Sequence, residues 1–106
     1  MIFMDTSINL DNVIQKIIRN DYLLCRFSQV YLFGSIIDNC SPNDIDILLI
    51  YENYALDLIY KKNRLKDILE SELEYDLDIV MLSLKEEKEV NFLDNLLLKY
   101  IKIKSL

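Results

Sequence analysis

The run from Asp44 to Ile50, DIDILLI, limits what this chain can fold into more than any other stretch. A strand with one wet face alternates apolar and polar residues, whereas Ile47, Leu48, Leu49 and Ile50 follow one another without a break. That pattern predicts a strand in the middle of its sheet. It also raises a chemical question, because two carboxylates, Asp44 and Asp46, stand at the mouth of this apolar run. The chain's only glycine, Gly34, and its only proline, Pro42, lie just upstream.

A sheet built around such a strand must be small. At 106 residues the chain has material for one hydrophobic core, so residues 1–106 are read as a single domain. Hydrophobic residues make up 52% of it, which excludes disorder as a general description. The formal net charge of −6 leaves no basic stripe for gripping phosphates, which disfavours a nucleic acid substrate. Cys25 and Cys40 form no CxxC pair, and with no histidine in the chain there is no zinc ligand set of the common kind. The absence of a leader-like N-terminus and of a long apolar segment predicts no membrane span and a reduced, cytoplasmic setting with both thiols buried.

Elements follow from periodicity. Leu10, Val13, Ile14, Ile17, Ile18, Tyr22 and Cys25 recur at helical spacing behind Asn9, a suitable N-cap, and predict one amphipathic helix over 9–26. QVYLF (29–33) reads as a strand ending at Gly34, and DIDILLIYE (44–52) as the central strand. Helical spacing returns over 55–73, and YDLDIVMLS (75–83) is a third strand. Ser83 and Glu86 then form a capping box, and the apolar positions from Val90 to Ile103 predict a last helix with a basic end at Lys99, Lys102 and Lys104. The resulting order, α, β, β, α, β, α, is that of an α+β protein: a small mixed sheet with helices packed on it.

Asp44 and Asp46, two apart on a strand, project from the same face. Carboxylates held side by side repel each other, and a divalent cation relieves the repulsion; oxygen ligands favour a hard ion such as Mg²⁺ or Mn²⁺. A second same-face pair, Asp76 and Asp78, lies on the next strand. If the strands are neighbours, one of that pair joins Asp44 and Asp46, and three carboxylates can hold two metal ions roughly 3.5–4 Å apart, the geometry of phosphoryl and nucleotidyl transfer. Gly34 and Ser35, at a strand end, would let backbone N–H groups and a hydroxyl approach a triphosphate.

Read together, VYLFGS, then NDIDILLI, then LDIVML resemble the minimal nucleotidyltransferases of the DNA polymerase β superfamily, whose signature is strand, Gly-Ser, loop, Asp-x-Asp strand and a later strand with a third Asp. The resemblance spans essentially the whole chain. It implies a polymerase β-like core in which Gly34 and Ser35 bind the nucleotide triphosphate, Asp44 and Asp46 coordinate two Mg²⁺ ions, and Asp78 is the third, proton-accepting carboxylate. Asp76, nearer the preceding loop, is the competing assignment. Two departures from the family pattern concern the phosphate grip: the eight-residue loop 36–43 is short, and Ile36 and Ile37 stand where small and basic residues commonly follow Gly-Ser.

Stand-alone members this short resemble the antitoxin halves of toxin–antitoxin pairs, which implies transfer of AMP from ATP to a tyrosine hydroxyl of a HEPN-type toxin partner. Two other readings remain: a binding module that neutralises its partner by contact alone, and a transferase acting on a small molecule or a tRNA. The acidic charge counts against the tRNA. A chain that is nearly all catalytic core would draw its specificity from a partner or from oligomerisation.

Overall fold

The computed structural model describes residues 8–39, 42–97 and 99–105. Helix α1 (Leu10–Arg19) opens where expected, with the Asn9 side chain accepting from the Asn12 N–H at 3.1 Å. It does not continue to residue 26. Asn20 turns its side-chain amide back onto the Lys16 carbonyl (2.8 Å), closing the helix, and a separate turn of helix, α2 (Asp21–Leu24), follows. Asn is suited to this break because its side chain competes with the backbone for helical hydrogen bonds.

Strands β1 (Gln29–Phe33) and β2 (Ile45–Tyr51) pair antiparallel. Helix α3 (Leu56–Leu73) carries the chain across to β3 (Leu77–Ser83), parallel to β2. The capping box forms as read: Ser83 Oγ accepts from the Glu86 N–H and Glu86 Oε1 from the Ser83 N–H, opening α4 (Leu84–Val90). After α5 (Phe92–Asn95) the chain departs from the helix expected over 90–103 and forms a fourth strand, β4 (Tyr100–Ser105), antiparallel to β1. The physical reason lies in YIKIK, where Tyr100, Lys102 and Lys104 alternate with Ile101 and Ile103 at a period of two. Leu97, at φ 51°, has already turned the backbone out of the helix.

The sheet order is β3-β2-β1-β4, with β2 interior as its composition required. Ile45, Ile47 and Leu49 face α1, α2 and α3 in the main core with Val13, Ile17, Phe27, Leu58, Leu65 and Leu69, all essentially inaccessible to solvent. Each such side chain contributes about 1.5–3 kcal/mol through burial. Leu48 and Ile50 point to the other face, where Tyr31, Phe33, Val80, Leu82, Phe92 and Tyr100 form a smaller, thinner cluster. Cys25 is exposed, contrary to the buried thiol expected, because it sits just past α2 on the side turned to solvent; Cys40 lies outside the described residues. No helix among the described residues is long and apolar enough to cross a membrane.

One position in this frame carries a correctable strain. Glu74 ends α3 in the left-handed conformation (φ 54°), its N–H bonded to the Glu70 carbonyl. Glycine favours that geometry, so Glu74→Gly should stabilise the protein by about 0.5–1 kcal/mol, read as a higher urea midpoint at unchanged slope.

Candidate active site

Side chains two apart along β2 share a face, so Asp46 lies on the thinly covered side with Leu48 and Ile50, and Asp44, just before the strand, precedes it on that side. The register brings Phe33 of β1 opposite Asp46, and Asp78 of β3 opposite it on the other flank. Asp44, Asp46 and Asp78 thereby converge: each offers a carboxylate oxygen within 4.8 Å of the others. Asp76 stays outside the cluster. Its backbone carbonyl accepts the Ile45 N–H at 2.9 Å, and this bond helps to set the β2/β3 register that carries Asp78 to Asp46. The same register is reinforced by Glu70 Oε2, which accepts the Leu77 N–H at 2.9 Å.

The site holds an excess of negative charge. None of the ion pairs among the described residues involves these three aspartates. Burial first, and then the charges of Asp44 and Asp78, push the Asp46 carboxyl up from 3.8 to about 6. A hard divalent cation is the partner that such an all-oxygen, uncompensated set fits.

Gly34 lies against this cluster. Its φ of +85° is in the left-handed region, and a Cβ there would overlap Asp46 Oδ2 and stand 3.2 Å from Asp46 Cγ. The glycine is therefore needed for clearance of the Asp46 carboxylate as well as for any close approach of a phosphate. Its N–H is already engaged, donating to the Lys99 carbonyl at 3.2 Å. Ser35, in the single 3₁₀ turn Gly34–Ile37, is exposed, and Ile36 is buried in the main core. Ile36 thus serves as an anchor for the turn and holds Ser35 at the surface.

Two neighbours of the site escaped the sequence reading. Phe33, cross-strand from Asp46, packs edge-on against Phe92 with ring centroids 5.4 Å apart, and Tyr31 does the same with Tyr100 at 5.4 Å, so aromatic side chains continue the site's floor along the sheet. The period-two alternation in QVYLF, with Tyr31 and Phe33 in step with Gln29, was the available signal. The other is Lys99, assigned to a helix end but placed beside the Gly-Ser turn by β4.

A four-stranded mixed sheet with a Gly-Ser turn and three converging aspartates defines a nucleotidyltransferase core. The chain belongs to the polymerase β nucleotidyltransferase family, whose pattern matches residues 12–103. The fold is shared with a chain of the Shewanella oneidensis complex of tri-AMPylated HEPN toxin with MNT antitoxin (21% identity, TM-score 0.60, 91% of this chain and 72% of that one). It is similar also to a chain of the MntA-HepT toxin–antitoxin structure (19% identity, TM-score 0.52, 87% and 72%). A further likeness is to a candidate nucleotidyltransferase of Sulfolobus solfataricus (18% identity, TM-score 0.51, 86% and 76%). No curated protein matches the chain.

Proposed function

We propose that this nucleotidyltransferase moves AMP from ATP to a tyrosine hydroxyl of a HEPN-type toxin and acts in the cytoplasm as the antitoxin of that pair. The observation that carries the reading is the convergence of Asp44, Asp46 and Asp78 beside Gly34 in a chain of this family. The toxin as acceptor is supported by the structural likeness to complexes of MNT antitoxin with HEPN toxin, one of them tri-AMPylated.

Asp44 and Asp46 would hold two Mg²⁺ ions, with Asp78 completing the set; when bound, these ions neutralise the triphosphate and the charge that develops as pyrophosphate leaves. Ser35, exposed on its turn, would donate its hydroxyl to the phosphates. Asp78 lies outermost of the three and would take the proton from the attacking hydroxyl. The acceptor oxygen attacks the α-phosphorus in line, the new P–O bond forms as the bond to pyrophosphate breaks, and the aspartate carries the proton away.

The test is intact-protein mass after this protein, ATP and Mg²⁺ are mixed with a candidate HEPN-type partner that it binds. A gain of one or more AMP units on that protein, absent with Asp44→Asn/Asp46→Asn, is expected. Neutralisation without a mass gain, unchanged in the double variant, would instead establish a contact-only module.

A further inference from the structure

The Gly-Ser turn lacks the cations that a triphosphate site requires. Ile36 and Ile37 follow Ser35, and Ile36 is committed to the core. Three carboxylates together with a triphosphate outweigh the charge of two divalent ions, so a further cation beside the phosphates is electrostatically favoured. The fold delivers one from elsewhere in the chain. The Lys99 carbonyl holds the Gly34 N–H at 3.2 Å, which fixes the start of β4 against the turn, and the Lys99 ammonium reaches Asp38 Oδ2 at 3.1 Å at the turn's far end. Asp38 is itself bound to the turn through its N–H, which donates to the Ser35 carbonyl at 3.3 Å.

The two lysines of β4 itself are occupied differently. Lys102 Nζ lies over the Tyr31 ring, 5.7 Å from its centroid, and Lys104 Nζ donates to the Leu24 carbonyl at 2.8 Å. Lys99 and Asp38 are both well exposed, so their ion pair is weak and exchanges readily. We propose that Lys99 is a triphosphate-binding residue of this chain, held in place by Asp38 until nucleotide arrives and then transferred from the carboxylate to the phosphates. The inference rests on the nucleotide reading above. It makes Asp38 a competitor of the triphosphate, so removal of the two partners has opposite effects.

The experiment is calorimetric binding of α,β-methylene-ATP, which cannot transfer AMP, with Mg²⁺ to the full chain, and of AMP as the comparison ligand. Lys99→Gln keeps the backbone carbonyl that holds Gly34. It should weaken the analogue about tenfold and leave AMP unchanged. Asp38→Asn should match or exceed wild-type affinity for the analogue, and Lys99→Arg should restore it. Weakening of the analogue by both Lys99→Gln and Asp38→Asn, equal weakening of both ligands, or no effect of Lys99→Gln would make the pair a structural tie and overturn the proposal. If the wild-type chain binds neither ligand, the nucleotide reading itself falls, and this inference with it.

Discussion

Asp46→Asn is expected to abolish nucleotidyl transfer and, at the same time, to make the metal-free protein more stable. Removing the carboxylate that lies beside Asp44 and Asp78 takes away a ligand from the proposed metal site and should cost about 10²–10³-fold or more in rate, the scale associated with losing electrostatic stabilisation of a transition state. The same substitution removes a charge that burial and two like neighbours disfavour. Asparagine is nearly isosteric, so packing against Gly34 is preserved. The stability gain at pH 7 should be about 1 kcal/mol after solvent screening at this open site is allowed for. Denaturation with chelator present measures it. A variant that is inactive because it is unfolded would show the opposite change in midpoint, and one that is stabilised but fully active would remove Asp46 from the chemistry.

The sign of the pH dependence follows from the direction of that shift. With its folded-state value raised to about 6 from 3.8, Asp46 binds more proton in the native state than in the unfolded state between those values. Its contribution to stability is fully present below pH 3.8 and is lost as pH rises through about 6. Divalent metal reverses the trend, since a cation must displace the proton to reach the carboxylate. Stabilisation by Mg²⁺ should therefore be large at pH 7 and fade below about 6, and Asp46→Asn should flatten both dependences.

What could be read from the sequence depended on the range of the interaction involved. The interior strand, the capping box at Ser83 and the same-face placement of Asp44 and Asp46 are local, each fixed by a period or a spacing of a few residues. The choice between Asp76 and Asp78 was not local. Both satisfy the alternation, and only the parallel register, which pairs Asp46 with Asp78, separates them in space. Strand β4 was misread because Phe92, Leu93, Leu96, Leu97, Tyr100 and Ile101 also fit a helical face. Its strand character comes from the free edge of β1, a partner some seventy residues away, in keeping with the sensitivity of strands to context. With the helix assumed, Lys99 had no route to the Gly-Ser turn. Gly34 was identified by its uniqueness and its position after a strand, but its contact with Asp46 depends on the β1/β2 register.

That contact makes Gly34→Ala the most damaging single-methyl change expected in this protein. Two costs combine. A φ of +85° is one that alanine adopts only under strain, about 1–3 kcal/mol, and the new Cβ would occupy the space of Asp46 Oδ2. The carboxylate must then swing away from Asp44 and Asp78, so stability should fall by roughly 2–4 kcal/mol and Mg²⁺ should no longer stabilise the protein at pH 7. The two costs can be separated with a double-mutant cycle. In an Asp46→Ala background the obstructing carboxylate is gone, and Gly34→Ala should cost only the backbone strain, leaving a coupling of about 1 kcal/mol or more between the two positions. Strict additivity in urea unfolding would mean that Gly34 acts through its backbone conformation alone. A clear coupling would show that the glycine's missing side chain is what lets the third corner of the acidic cluster form.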